Sequence, residues 1–251
     1  VIADPFFYAL AVPAIVIAGI SKGGFGSGVG LLAVPMMALS IPVPQAAAIM
    51  LPILCLMDLV GLWTYWRVWD QAAMAALLPA AIAGIVVGAL TFSLLDERLL
   101  RLAIGVVAVA FVLDHWLVRR TTGDARPSAA KAAVCGALSG YTSFVAHAGG
   151  PPLNMYLLPL GLEKARLVGT AVVFFAAVNY AKLLPYWWLG QMSAGNMATA
   201  LALAPLAPIG MLSGVWLMRR VSQTLFMRIC YGCVFATGLK LVWDGIAVLS
   251  R

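Results

Sequence analysis

Apolar runs recur along this chain almost without pause, at 6–20, 31–40, 46–66, 72–94 and 99–118, then at 132–146, 152–160, 167–189, 197–217 and 225–249. A helix needs about 20 apolar residues to cross a hydrocarbon core about 30 Å thick, and the longer runs meet that length. In water the same side chains would leave a contiguous apolar surface that a soluble fold of this size cannot hide. Charge is sparse in step: 16 Lys+Arg and 9 Asp+Glu amount to 10% of the residues, against about 25% in a soluble domain. The runs continue to residue 249, which argues against a cleaved leader ahead of a soluble body. The expected fold class is an all-α polytopic membrane protein. A net charge of +7 calls for no nucleic-acid partner, because membrane proteins concentrate Lys and Arg on their cytoplasmic side.

The clearly hydrophilic stretch, 119–128, lies near the midpoint and has the composition of a linker, three arginines among Gly, Pro, Ser and Thr. The two parts it separates are alike. A shift of 121 residues places Gly19 on Gly140, Ser21 on Thr142, Gly28 on Gly149, Asp58 on its repeat mate Asn179, Tyr65 on Tyr186 and Trp66 on Trp187. Each part also runs through the same order of features: a broken apolar segment, then three full spans, the first ending in an aromatic cluster. The expected organisation is a first repeat over 1–118 (broken segment 6–40, spans 46–66, 72–94 and 99–118), a cytoplasmic linker over 119–128, and a second repeat over 129–251 (broken segment 132–160, spans 167–189, 197–217 and 225–249).

As one helix, residues 6–40 would be roughly 52 Å long, too long for the core. A re-entrant hairpin of two short helices, returning to the side it entered, fits better. The basic residues agree. If both broken segments re-enter, Lys and Arg outside the apolar interior divide ten against three, with Arg98, Arg101 and Arg251 on the outer side; if both cross, the division is seven against six. Three crossings per repeat make the repeats inverted, with both termini outside the cytoplasm.

The first break reads Ser21-Lys22-Gly23-Gly24-Phe25-Gly26-Ser27-Gly28-Val29-Gly30. Its glycines disfavour helix, and backbone left unpaired in hydrocarbon is costly, so the loop must be buried in protein or line a water-filled cavity. A short helix starting near Val29 would turn free N–H groups and the positive end of its dipole toward that cavity. The second break, His147-Ala148-Gly149-Gly150-Pro151-Pro152-Leu153-Asn154, repeats the logic, its prolines suiting a helix start at about 151 or 152. Both features suit an anion. The candidate substrate ligands are Ser21, Lys22, Gly24, Gly26, Ser27 and Gly28 from the first break and His147, Gly149, Gly150 and Asn154 from the second. No metal or other cofactor is expected.

Among the charged residues Lys22 is the most informative, since a lysine at membrane depth must face water, an anion or a buried partner. Asp58 has two readings, a proton-coupling carboxylate or a structural acid paired with Lys22 or a hydroxyl. Lys182 is expected to snorkel toward Trp187 and Trp188, and Lys240 and Asp244, four apart, to pair with each other. His115 reads as an ordinary interfacial histidine, whereas His147 reads as a pH-sensitive ligand contact. Cys230 and Cys233 lie in an apolar run with no second ligand pair, and read as packing residues.

On these residues the chain resembles the TauE/SafE sulfite exporter family, also called the toluene-sulfonate uptake permease family. The likeness rests on the run Lys22 to Gly30 with Pro35 after it, on Gly149-Gly150-Pro151-Pro152, and on the clusters Trp63, Tyr65, Trp66 and Tyr186, Trp187, Trp188. The run from Lys22 to Gly30 matches the first family motif, while the second break carries His147 and a double proline in place of a glycine-richer motif. The resemblance implies a multi-pass protein of the bacterial cytoplasmic membrane, not an enzyme. It further implies carriage of small sulfur-containing anions such as sulfite, thiosulfate, sulfoacetate or aryl sulfonates. The expected partners are a small anionic substrate, the lipid bilayer and a proton as coupling ion through Asp58. Two other classes stay open: an intramembrane serine hydrolase using Ser27 with His147 as base, and an anion channel.

Overall fold

A computed structural model describes residues 2–25, 33–92 and 128–247, together with residues 102, 105, 106, 108–110, 112, 113, 116 and 117. Among the described residues every regular element is a helix. In chain order these are α1 (Pro5–Gly24), α2 (Ala33–Met37), α3 (Val43–Thr64), α4 (Gln71–Thr91), α5 (Ala129–Ala146), α6 (Gly150–Leu157) running into a 3-10 turn (Leu158–Leu160), α7 (Lys164–Trp188), α8 (Ala194–Leu203), α9 (Leu206–Arg220) and α10 (Gln223–Ala247). The described residues between 102 and 117 are helical as well. Side chains start the helices where the sequence supplies a cap: Asp4 accepts from the Phe6 N–H at 2.9 Å ahead of Pro5, Asp70 from Ala73 at 2.8 Å, and Ser193 from Asn196 at 3.3 Å.

Five of the helices, α1, α3, α4, α7 and α10, are long and apolar enough to cross a bilayer, and α8 with α9 makes a sixth if the pair is one span. That pair is bent by 45°, where the sequence predicts a continuous span at 197–217. Pro205 sits in the break; it has no N–H to donate, and its ring clashes with the carbonyl a turn earlier. The first arm of each broken segment is also longer than the short helix expected. α1 has 20 residues and α5 has 18, about 30 and 27 Å of helix. Helix persists through Gly23 and Gly24, and the Phe25 N–H still reaches the Ser21 carbonyl at 2.8 Å. The returning arms are short, five residues in α2 and eight in α6. A helix start near Val29 lies outside the described residues. α6 starts at Gly150, one residue before the predicted proline start. The Ser40 hydroxyl donates to the Asp4 carboxylate at 3.2 Å, so the end of the α2 turn lies beside the start of α1.

Glycines decide which helices lie together. Gly19 and Gly23 of α1 meet Gly210 and Met211 of α9, and Gly24 meets Gly214; Gly136 and Gly140 of α5 meet Leu77 and Ala81 of α4, and Gly84 meets Ala137. All four helices carry a Gly-x-x-x-Gly pair on the contact, at 19/23, 210/214, 84/88 and 136/140. In a membrane, where no hydrophobic force drives helices together, small residues that let backbones touch are the main source of association. Both pairs run parallel, and each joins the first helix of one part of the chain to the second span of the other. Between them α3 and α7 run antiparallel: Tyr180 donates to the Cys55 carbonyl at 3.3 Å, Asn179 meets Asp58, Val172 meets Gly61 and Gly169 meets Tyr65. The aromatic clusters at the ends of α3 and α7 divide by residue type. Trp63, Trp66, Trp187 and Trp188 are exposed, as interfacial tryptophans are, while Tyr65 and Tyr186 are buried.

Substituting Val at Gly140 or Gly84 drives a side chain into the facing carbonyl of Ala81 or Ala137. Overpacking of this kind costs about 1–3 kcal/mol or more, so the thermal midpoint of the detergent-purified protein should fall markedly. Gly232→Ala, whose added methyl meets nothing within 4 Å, should leave that midpoint unchanged or raise it.

Candidate functional site

Both breaks open on one cavity of about 40 Å³, lined by Ala18, Lys22, Ala33, Val34, Met50, Leu54, Ser143, His147, Gly150, Phe175 and Asn179. At roughly 10–15 Å³ per water-sized probe, it holds a few waters or one small polyatomic ion. Helices α1, α5 and α7, with His147 just beyond α5, supply its polar wall, α3 lines it with Met50 and Leu54, and α2 and α6 close it with their first residues.

On the first side the Lys22 ammonium, 4% exposed, lies 2.6 Å from Asp58 Oδ1, which is fully buried. Lys22 also donates to the Leu54 carbonyl at 3.3 Å, and Asn179 Nδ2 donates to the second Asp58 oxygen at 2.7 Å. Asp58 therefore takes the paired geometry of its two sequence readings, and sits behind Lys22 and Asn179 instead of on the cavity wall. The position 121 residues after Asp58 is the one that touches it.

On the second side Lys182 is fully buried, not snorkelling toward the membrane surface. Its ammonium lies 3.0 Å from the Ser143 carbonyl, 3.0 Å from the Ser143 Oγ and 2.9 Å from His147 Nδ1. Three acceptors match the three N–H donors of an ammonium. His147 Nε2 lies 3.0 Å from the Ala47 carbonyl, which can only accept; Nε2 therefore carries the proton and Nδ1 takes the hydrogen bond from Lys182. Both ring nitrogens are engaged, so in this arrangement His147 offers neither a free base to a serine nor a free donor to a ligand. Its φ of 51° is in the left-handed region that costs a non-glycine residue about 1–3 kcal/mol. The three-point hold on its ring and on Lys182 keeps it there.

A matched pair of hydroxyls ties down the two first arms. Tyr65 donates to the Gly23 carbonyl at 2.5 Å and Tyr186 to the Phe144 carbonyl at 2.8 Å. Donors and acceptors alike are 121 residues apart. Carbonyls freed at the end of a buried helix need such donors, because no water reaches them.

A model of the sulfite exporter TauE/SafE family matches residues 11–241. The chain belongs to that family. No curated protein and no solved structure matches it. Membership in a TauE/SafE transporter family implies a multi-pass membrane protein that moves sulfite or a related sulfur anion, and is consistent with a protein that is not an enzyme.

Of the ligands expected from the sequence, Lys22, His147 and Gly150 line the cavity of this TauE/SafE protein. Gly24 and Gly149 do not: a side chain on the first would strike Gly214 and on the second Ser139, so they serve helix packing. Ser21 and Asn154 are buried off the cavity wall. Gly26, Ser27 and Gly28 lie outside the described residues, as does His115. Lys240 and Asp244 pair with each other, as their spacing predicts. Sequence reasoning missed Ser143, which stands 121 residues after Lys22, and misread Lys182. Asn179, Lys182 and Tyr186 share one helical stripe, and that spacing was the available signal.

Asp58→Ala leaves the Lys22 ammonium buried without its carboxylate, a loss of about 3–5 kcal/mol. The double replacement of Lys22 by Met and Asp58 by Leu should cost clearly less than Asp58→Ala alone, read as unfolding midpoints in a double-mutant cycle.

Proposed function

We propose that this protein is a secondary transporter that exports sulfite, or a sulfur oxyanion of similar size, across the bacterial cytoplasmic membrane by alternating access. The observation that carries the reading is the cavity at the meeting of the two breaks, with Lys22 on one wall and the group around Lys182 on the other. A volume of about 40 Å³ suits a small polyatomic ion, such as a sulfur atom with its oxygens. Ligand contacts on this reading come from Lys22 and from Gly150 at the start of α6.

The two parts of the chain are taken as inverted repeats. Support comes from the antiparallel meeting of α3 with α7, from contact between Asp58 and Asn179, and from the matched tyrosine hydrogen bonds. Two equivalent helices that run opposite ways and touch at equivalent residues lie on a two-fold axis in the membrane plane, the symmetry of inverted-repeat carriers. The first broken segment is taken as re-entrant, supported by the Asp4 to Ser40 contact. Residues 119–128 then lie in the cytoplasm. Alternating access rocks one glycine-packed helix pair against the other around the fixed site, and Asp58 is the proton-coupling carboxylate, paired with Lys22 while the anion is bound and protonated when the site is empty.

Purified protein in liposomes should give saturable sulfite flux with counterflow, driven by an imposed pH gradient. Asp58→Asn should retain counterflow and lose the response to that gradient. Flux that neither saturates nor shows counterflow would mean a channel, and absence of flux for sulfite and all sulfonates would remove the anion reading.

A further inference from the structure

Two buried lysines stand near the cavity, Lys22 on its wall and Lys182 behind it, and their charges are not in the same situation. Lys22 is neutralised by Asp58 at 2.6 Å. Lys182 has around its ammonium a carbonyl, a hydroxyl and a neutral imidazole, and among the described residues no carboxylate lies within salt-bridge distance of it. A fully buried ammonium whose partners are all neutral is a charge awaiting its counterion. Asp58 does not serve as that counterion, since both its oxygens are already engaged by Lys22 and Asn179.

Lys182 does not line the cavity itself. Ser143 does, and its Oγ accepts a hydrogen bond from Lys182 at 3.0 Å. The hydroxyl proton of Ser143 then has no acceptor among the described residues, on a side chain that is buried and borders the empty space. A hydroxyl whose oxygen is polarised by an ammonium is a strengthened donor. Lys22, 121 residues earlier, occupies the equivalent place in the first part of the chain, while the residue 121 before Lys182 is Gly61. Each part thus brings one ammonium to the cavity, the first directly and the second through a serine on the neighbouring helix.

We infer that Ser143 is the anion's hydroxyl donor, that Lys182 is the positioning residue behind it and the source of the unbalanced charge, and that the site in consequence selects an anion bearing one negative charge over one bearing two. This rests on the transport reading and deepens it. With Lys22 and Asp58 cancelling and His147 held neutral, the wall carries one net positive charge. A singly charged oxyanion completes the balance, while a second negative charge would be buried without a partner, which a site away from water resists strongly.

Methanesulfonate and sulfate, tetrahedral anions of similar size with one and two negative charges, make the test, read by calorimetric titration of the detergent-purified protein beside sulfite counterflow in liposomes. Wild-type protein should bind methanesulfonate on the order of tenfold or more tighter than sulfate. Ser143→Ala, which leaves Lys182 its carbonyl and imidazole partners, should weaken methanesulfonate on the order of tenfold to a hundredfold, the worth of a hydrogen bond to a charged group, with the unfolding midpoint little changed. Lys182→Met should abolish the preference between the two anions as well as lowering affinity, a change in ratio that loss of packing alone would not produce. The inference is overturned if wild type binds sulfate as tightly as methanesulfonate, or if Ser143→Ala binds methanesulfonate like wild type. Absence of sulfite counterflow with this anion selectivity intact would remove the transport reading and leave the site standing.

Discussion

An ammonium group inside a bilayer has no water to turn to, so Lys22 and Lys182 each take their partners from the protein, and those partners knit its centre together. Lys22 at the end of α1 reaches Asp58 and Leu54 on α3, and Asp58 reaches Asn179 on α7. Lys182 on α7 reaches Ser143 at the end of α5 and His147 just beyond it, and His147 reaches back to Ala47 on α3. Four helices from both parts of the chain are thereby linked through two short polar chains on either side of one cavity. Removing any middle member strands a buried polar group, and stranded groups cost more than the net worth of the bond they lose.

The polar centre and the glycine contacts divide the work. Glycines at the helix crossings bring α1 against α9 and α5 against α4 backbone to backbone, which sets where the ends of α1 and α5 arrive. The tyrosine hydroxyls then satisfy the carbonyls of Gly23 and Phe144 at those ends, and the lysine networks fill the space between. Close packing, end-satisfaction and charge neutralisation reinforce one another.

Much of this was legible in the residues. Membrane residence and both breaks follow from apolar runs and from glycine and proline, whose effects are local. Lys22 stood out because a charge beside a glycine-rich run at membrane depth has few uses. The facing of glycines was not legible, because a glycine admits a ligand and a helix equally well; only the partner helix shows that Gly24 and Gly149 serve packing, although the paired spacings 19/23 and 136/140 pointed that way. Lys182 was misread for a geometric reason. Trp187 and Trp188 are near it in sequence but lie on the outward face, whereas Asn179 and Tyr186, at helical spacing from it, lie inward. The bend at Pro205 had a visible cause, yet prolines at 52, 79 and 185 sit inside continuous helices, so the residue alone does not determine the outcome.

The parallel pairs α1 with α9 and α5 with α4 each cross from one part of the chain to the other. Neither part therefore encloses its own first helix; each lends it to the other, in the manner of an exchanged arm between protomers. If the two parts arose by duplication, the ancestral half-length chain was an intertwined dimer, with the later linker recording an association that already existed. The same interlock means that the first helix of each part is seated by glycines and carbonyls that the other part supplies.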